Sequence, residues 1–374
     1  MHFRHFRNLF LFVAFVFISC EYLIYYLVIW QCSWPVLQRK TEEYGNRLSA
    51  LFFADPHLLG SKQGHWFDQL RREWQMQRAF QTAVSLLQPD IIFVLGDLLD
   101  EGQWASNQEF HETVGRFKHM FRHSEKIQLH VVVGNHDIGF HPSVRQTQLE
   151  RFQTAFDIPS VKTLTVKGIN FVLLNSILMQ GDKCSMCLEA EVLLRQVSQQ
   201  LNCSRDMAYN AKHPEECDNQ KLLPISAPIL LQHFPMYRES DAVCTGEDAA
   251  PSKEKLTHHR ERWEVLSKDA SQKLFWWLQP RFILSGHTHH GCYLEHENGT
   301  PELTVPSFSW RNRNNPSFAL AVISPDDIAF NKCFIPRETT VIFTYIISGV
   351  VVVMMVIFIN LKPPRRRYRY KTID

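Results

Sequence analysis

Five short blocks of the sequence carry side chains that bind metal ions, and each block comes after an apolar run. The side chains are the carboxylates of Asp55, Asp97 and Asp100, the carboxamide of Asn135, and the imidazoles of His57, His136, His233, His287 and His289. Oxygen ligands suit hard divalent ions, while imidazole suits manganese, iron, nickel and zinc. Two such ions can hold the oxygens of a phosphoryl group and activate water. The blocks therefore predict a two-metal hydrolytic site.

Buried strands are needed to bring together blocks that lie so far apart in the chain. The apolar runs predict strands at 48–54, 91–95, 128–133, 171–175 and 228–232 and from Phe282. Apolar residues at helical spacing predict helices at 66–87, around 110–121 and at 274–278. This alternating order indicates parallel strands with crossover helices, an α/β fold. Beyond Gly291 the shorter turns predict antiparallel strands.

Two long apolar segments lie near the ends of the chain, at 9–30 and 341–361. About 20 apolar residues suffice for a helix that crosses a bilayer. Glu21 interrupts the first segment, for which a cleaved signal peptide is the alternative. Basic residues lie outside both segments, so the positive-inside rule places residues 1–8 and the basic tail 362–374 in the cytosol. Residues 31–340 are then expected to form a lumenal domain.

Glycosylation and cysteine patterns agree with a lumenal domain. Asn202 and Asn298 each begin a glycosylation sequon. Five of the nine cysteines lie at about 180–245, which predicts an insertion held by disulfides. For Cys184 and Cys187 a zinc site is the alternative. The formal net charge of only +2 gives no indication of nucleic-acid binding.

The five blocks, in their order and spacing, resemble the signature of the calcineurin-like metallophosphoesterases. The resemblance implies an αββα sandwich flanked by two transmembrane helices, with two divalent metal ions bound. It implies that Asp55, His57 and His289 hold one metal, that Asn135, His233 and His287 hold the other, and that Asp97 bridges both. His136 would act on the phosphate as general acid or transition-state stabiliser, and Asp100 would orient its ring.

The sequence around the blocks, at 53–57, 232–238 and 306–312, is similar to a membrane-anchored branch of this family that remodels glycosylphosphatidylinositol (GPI) anchors. This resemblance implies removal of an ethanolamine-phosphate side branch from the second mannose of the anchor. Manganese is the implied metal, with iron or zinc as alternatives. GPI-anchored proteins are the implied substrates, and the lipid bilayer and GPI cargo receptors the implied partners. The residues expected to contact substrate are Tyr237, Arg238, Trp310 and Arg311.

The same resemblance places the chain in the endoplasmic reticulum, the ER–Golgi intermediate compartment or the cis-Golgi. Two alternatives to the GPI substrate remain. One is a lumenal enzyme that acts on another phosphodiester or on a pyrophosphate such as a sugar nucleotide. The other is a non-catalytic membrane receptor built on the same fold. Bound metal and hydrolysis of bis-p-nitrophenyl phosphate distinguish an enzyme from a receptor.

Overall fold

The computed structural model of the chain describes residues 2–38, 46–182, 184–209, 217–218 and 220–361. The basic segment at 362–374, for which a cytosolic tail is predicted, lies outside the described residues. The strands are β1 Leu48–Phe53, β2 Ile91–Leu95, β3 Gln128–Val132, β4 Val161–Val166, β5 Ile169–Leu174, β6 Ile229–Gln232, β7 Phe282–Ser285, β8 Cys292–Glu295, β9 Pro301–Thr304, β10 Ser317–Ile323 and β11 Ile328–Phe334. The helices are α1 His2–Ile18, α2 Ile24–Ile29, α3 Trp66–Leu87, α4 Asn107–Met120, α5 Asn135–Ile138, α6 Gln146–Phe156, α7 Ser185–Tyr209, α8 Lys268–Leu278 and α9 Glu338–Leu361.

The strands form two mixed sheets. In the first, of order β11-β10-β1-β2-β3, the strands β1, β2 and β3 are parallel, and β10 and β11 are added antiparallel. In the second, of order β4-β5-β6-β7-β9-β8, the strands β5, β6, β7 and β9 are parallel. The expectation of antiparallel strands beyond Gly291 is therefore wrong in part. After the β8–β9 hairpin turns at Gly299, β9 runs parallel to β7.

Aromatic side chains on alternating positions hold the layers together. Phe52 and Phe93 stack at 5.2 Å on one face of the first sheet, and Phe93 meets Phe171 of the second sheet at 5.0 Å between ring centroids. Phe53 points to the opposite face, where it packs against Phe80 of α3 at 6.0 Å. Successive strand residues face opposite sides of a sheet, so one strand supplies both interfaces. Each fully buried phenylalanine contributes roughly 1.5–3 kcal/mol. The predicted calcineurin-like αββα fold is confirmed.

Both terminal apolar segments are helical, as predicted. A short π-helical segment, Ser19–Leu23, joins α1 to α2. Residues Arg4–Ile29 and Glu338–Asn360 are long and apolar enough to cross a membrane, by length and composition. The hydroxyl of Tyr345 in α9 donates a hydrogen bond to Glu21 at 2.5 Å, which gives the one carboxylate within the first apolar segment a partner. The C-terminal part of the first segment differs from a simple span, because Tyr25 and Ile29 are buried in the core of the domain.

Four disulfides connect eight of the nine cysteines. The pairs are Cys32–Cys333, Cys184–Cys187, Cys203–Cys217 and Cys244–Cys292. Two of them lie inside the predicted insertion at about 180–245, which contains helix α7. Cys244 instead bonds to β8, outside the insertion. Cys32 and Cys333 tie the end of the first apolar segment to β11.

Candidate dimetal centre

The predicted ligands follow the carboxyl ends of strands at one edge of the two sheets. Asp55 and His57 follow β1, Asp97 follows β2, Asn135 follows β3, His233 follows β6, and His287 and His289 follow β7. The first five of these side chains are buried, and the two on the β7 loop are half-buried. The structure thus brings together all seven residues for which metal binding is predicted.

One group of ligand atoms is formed by Asp55, His57 and His289, whose atoms lie within 4.8 Å of one another. Nε2 of His57 lies 3.1 Å from Nε2 of His289 and 3.5 Å from Oδ2 of Asp97. Nδ1 of His57 donates a hydrogen bond to Oδ1 of Asp100 at 3.1 Å, so its Nε2 carries the lone pair. Two ring nitrogens and two carboxylates therefore converge on one point.

A second group is formed by Asp97, His233 and His287, again within 4.8 Å. Nε2 of His233 lies 3.3 Å from Oδ2 of Asp97, 3.1 Å from Oδ1 of Asn135 and 3.2 Å from Nδ1 of His287. Oδ2 of Asp97 is near a ring nitrogen of each group. This is the position that a bridging carboxylate needs.

Backbone carbonyls set the tautomers of the second group. Nδ1 of His233 donates to the carbonyl of Leu95 at 2.8 Å, and Nε2 of His287 donates to the carbonyl of Trp263 at 2.5 Å. When these rings are neutral, the other nitrogen of each carries a lone pair that points at further oxygen or nitrogen acceptors. A divalent ion among these acceptors would offset their mutual repulsion, so the residues fit divalent metal ions. The assignment of individual ligands to each ion stays a prediction.

The electrostatics of the cluster are those of a cation site. Burial raises the pKa of Asp55 well above its ordinary value, despite the nearby His233. Burial acts in the same direction on Asp97, but His233 and His136 outweigh it and hold the pKa of Asp97 well below its usual range. Burial lowers the pKa of His233, but the charge of Asp97 outweighs this and raises it to about 9. Burial and then His233 lower the pKa of His287 to about 3, which leaves its ring neutral.

The ligand loops hold unusual backbone conformations. Ten of the described non-glycine residues have positive φ, and half of them are Asp55, His57, Asp97, His287 and His289. Such conformations cost about 1–3 kcal/mol each and persist where the surroundings enforce them. Gly96 has φ +92°, and a Cβ added there would lie 2.4 Å from Nδ1 of His233. The turn after β2 therefore requires glycine for the imidazole to approach.

Asp100 contacts more groups than the sequence predicts. Its carboxylate accepts hydrogen bonds from His57 and, at 2.7 Å, from Nη2 of Arg311. Nδ1 of His136 donates instead to the backbone carbonyl of Asp100 at 2.9 Å and lies 3.4 Å from its carboxylate. Asp100 thus orients His136 mainly through its backbone, while its carboxylate orients His57. The Asp97–Asp100 turn places the carboxylate between His57 and Arg311, and the role of Asp100 in orienting His136 stays a prediction.

Two of the four residues expected to contact substrate are buried and contact other protein groups. Trp310 is buried, donates through its indole to the carbonyl of Pro336 at 2.8 Å, and packs against the two apolar segments. Arg238 is 7% exposed and forms an ion pair with Asp241 at 2.8 Å. The sequence could not distinguish these core contacts from substrate contacts, because tryptophan and arginine occur in both and the residue type alone does not tell which.

The other two expected contacts remain predictions. Tyr237 is half-buried, and its ring lies 6.0 Å from Nζ of Lys268 at the start of α8. The Arg311 side chain is 24% exposed beside Asp100. Sequence reasoning missed Trp263, whose carbonyl fixes His287, and Phe140, whose ring lies 4.7 Å from that of Trp263. A backbone carbonyl leaves no signal in a sequence, since every residue has one.

Residues 48–291 match the model of the calcineurin-like phosphoesterases. This chain belongs to that family. Three relatives called Metallophosphoesterase 1 are similar to this phosphoesterase over most of its length. That of Cricetulus griseus is 51% identical and covers 91% of this chain and 86% of its own. The Danio rerio protein is 49% identical and covers 97% of this chain and 93% of its own. The Gallus gallus protein is 51% identical and covers 94% of this chain and 90% of its own. The similarity to Metallophosphoesterase 1 is thereby confirmed, and the GPI substrate that the resemblance implies stays a prediction.

Family and geometry together make the chain a metal-dependent phosphoesterase that uses two divalent metal ions. Such ions neutralise phosphoryl oxygens and lower the pKa of water. This conclusion sets aside the alternative of a non-catalytic receptor. The His136 ring lies at the open side of the cluster, 29% exposed, and its backbone N–H donates to Oδ1 of Asp97 at 2.7 Å. It is thus positioned beside the metal centre without being buried among the ligands.

Proposed function

We propose that this phosphoesterase removes an ethanolamine-phosphate side branch from the second mannose of GPI anchors, and so promotes the transport of GPI-anchored proteins from the endoplasmic reticulum to the Golgi. The observation that carries the proposal is the short path from the metal centre to the apolar helices. Trp310 packs against Val16 of the first apolar segment and Val341 of the second. The next residue, Arg311, donates to Asp100 beside the metal ligands. A substrate attached to a bilayer lies within reach of such a site.

The membrane arrangement supports the same substrate. In this proposal both apolar segments cross the membrane, residues 31–340 face the lumen, and residues 1–8 and 362–374 face the cytosol. Disulfides persist in oxidising compartments, and the four pairs suit the lumen of the early secretory pathway. Asn298 is exposed in the β8–β9 turn, where glycosylation machinery can reach it. GPI-anchored proteins and their cargo receptors are the proposed partners.

Manganese is the proposed metal, because the mixed oxygen and imidazole ligands suit a first-row ion of intermediate hardness. The ligands contain no thiolate, which gives zinc no advantage over manganese or iron. His136 is proposed to donate a proton to the leaving group or to stabilise charge on the phosphate. Its hydrogen bond to the carbonyl of Asp100 fixes Nδ1 as a donor. Although burial lowers it, Asp97 and Asp100 raise the pKa of His136 to about 9, so Nε2 also carries a proton for the leaving group.

The decisive experiment uses the purified full-length chain in liposomes that contain a GPI lipid with ethanolamine-phosphate on the second mannose. Mass spectrometry would measure the released branch with manganese, iron or zinc. An Asp97→Asn variant is the matched control. We expect manganese-dependent release by the wild type and none by the variant.

A sugar nucleotide and bis-p-nitrophenyl phosphate serve as competing substrates. Hydrolysis of both, without release from the GPI lipid, would reject the proposed substrate and favour the soluble phosphodiester or pyrophosphate alternative. A deacylated GPI glycan in solution tests the role of the membrane. We expect its kcat/KM to be at least tenfold lower than that of the lipid in the same liposome, because the anchored site loses its raised local concentration of substrate.

A further inference from the structure

A second cluster of metal-binding side chains lies outside the dimetal centre. It consists of His141, Asp182, Cys184 and Cys187, each of which offers one ligand atom within 4.8 Å of the others. His141 begins a short helical turn, His141–Ser143, that follows the loop with His136. The two cysteines lie at the start of α7. The cluster combines two sulfur atoms and one imidazole, which are ligands that zinc prefers, with a carboxylate beside the imidazole.

The start of α7 favours the thiolate form of these cysteines. The backbone N–H of Cys187 donates to Sγ of Cys184 at 3.0 Å, and the carbonyl of Cys184 accepts from Leu188. Cysteines at a helix N-terminus have a lowered pKa, because free N–H groups stabilise negative charge there. The Cys187 side chain is also shielded, with 1% of the residue exposed.

His141 is oriented to complete the cluster. Its Nδ1 faces Sγ of Cys187 at 3.9 Å, and its Nε2 donates to Oδ2 of Asp182 at 2.6 Å. Sulfur and nitrogen ligands of one tetrahedral zinc ion lie about 3.5 Å apart, given Zn–S and Zn–N bonds of about 2.3 and 2.0 Å. For the histidine a small movement would therefore suffice, while the two sulfurs must separate from bonding distance to about 3.8 Å after reduction. A carboxylate on the far nitrogen is the usual partner of a zinc-bound histidine.

In the structure the two sulfurs are joined in a disulfide that spans the shortest loop of the four. Its sequence separation is 3, against 14, 48 and 301 for the others. Loop closure therefore stabilises this bond least, and a dithiol reductant should open it first. In that step the Cys184–Cys187 bond breaks, the dithiol supplies two electrons and two protons, and it becomes a disulfide. Zinc then displaces the two thiol protons.

We infer that Cys184 and Cys187, once reduced by a dithiol, bind one zinc ion with Nδ1 of His141, and that Asp182 orients this histidine. The residue before His141 is Phe140, which packs against Trp263, and the carbonyl of Trp263 holds His287. A zinc ion at this cluster would therefore fix the loop beside the dimetal centre. The inference does not depend on which phosphodiester the enzyme cleaves.

Cobalt substitution tests the inference in the full-length protein. Cobalt bound by thiolates shows a strong sulfur-to-metal charge-transfer band in the near ultraviolet, and the dimetal centre has no sulfur ligand to produce one. After mild reduction with a dithiol we expect the band to appear and the protein to bind one more zinc per chain than its oxidised form. Mass spectrometry of alkylated thiols should locate the new thiols at Cys184 and Cys187.

Matched variants make the result specific. A Cys203→Ser/Cys217→Ser variant lacks a neighbouring disulfide and should keep the band, while Cys184→Ser/Cys187→Ser should lose it. His141→Ala keeps both thiols and should bind zinc at least tenfold more weakly, and Asp182→Asn about 10–100-fold more weakly. Absence of the band from the reduced wild type, or its persistence in the serine pair of residues 184 and 187, would overturn the inference. So would unchanged zinc affinity in His141→Ala.

Discussion

The Asp100→Asn substitution separates two roles of one side chain. The buried carboxylate accepts hydrogen bonds from His57 at 3.1 Å and from Arg311 at 2.7 Å, one on each oxygen. Although burial raises it, the nearby rings of His136 and His57 hold the pKa of Asp100 below its ordinary value, so the group is charged. Asparagine has the same shape but only one accepting atom. Whichever way its amide lies, His57 or Arg311 must face an N–H₂ group.

The structure gives the size of the effect. Leaving a donor to a charged group unpaired in a buried site costs about 1.5–3 kcal/mol. Loss of a carboxylate behind a metal-bound histidine lowers metal affinity about 10–100-fold, which is the same range. We therefore expect Asp100→Asn to weaken one metal about 10–100-fold. At saturating metal kcat should change only a few-fold, because His136 keeps its hydrogen bond to the carbonyl of residue 100.

The assay combines metal titration with hydrolysis of bis-p-nitrophenyl phosphate. Arg311→Gln in the Asp100→Asn background is the matched control, since glutamine offers an acceptor to the new amide. The double variant should regain several-fold of the lost affinity, and Arg311→Gln alone should not. Unchanged metal affinity together with a fall in kcat of about 100-fold or more would refute this reasoning. It would mean that the carboxylate acts on His136, as the sequence alone predicts.

Four further predictions address the proposed bridging ligand Asp97, the proposed acid His136, a buried ion pair and the pH dependence of stability. Asp97→Asn should abolish turnover and reduce bound metal below two per chain by elemental analysis, because the shared ligand loses its charge. His136→Ala should keep both metals and lower kcat about 10²–10⁴-fold; equal metal loss in these two variants would contradict the separation of roles. Arg238→Ala should lower the free energy of unfolding by about 3 kcal/mol and leave kcat per folded molecule unchanged. This loss is at the low end for a broken buried ion pair, because His259 still contacts Asp241. Burial, and then Lys162, lower the pKa of His130 to about 4, so the unfolded chain binds more protons below pH 6.5. The free energy of unfolding should therefore fall from pH 6.5 towards 4, and by less in His130→Phe, as followed by chemical denaturation.

Local signals in the sequence explain which elements were predictable. The bounds of α3 agree with the predicted 66–87, because apolar spacing marks the helix and Pro89 follows it. Helix α4 was expected around 110–121 but begins at Asn107, since Ser106 and Glu109 form a capping box. Similarly, Ser267 caps α8, which starts at Lys268, earlier than the predicted 274. Both starts were encoded in short polar patterns that an apolar periodicity does not detect.

The sequence predicted the candidate metal ligands but not the groups that orient them. Strand-end position and residue type were enough to indicate the metal-binding side chains, because few other roles bring such residues to one sheet edge. The groups that orient them are of another kind. The carbonyls of Leu95 and Trp263 bond to His233 and His287 whatever their side chains are. Only the path of the backbone determines where such supports lie.

Bringing several acceptor side chains together in a buried site costs free energy, and the fold must offset this cost. Asp55 and Asp97 are almost completely buried, and the loops that carry them adopt strained backbone conformations. Burial raises the pKa of Asp55, so the charged form of this carboxylate is unfavourable without a nearby cation. Divalent ions would offset that cost and would bind only the folded arrangement, so metal binding is expected to add to the stability of the domain. The aromatic layers behind β1 and β2 pack against these strands and so hold the strained turns that follow them in place.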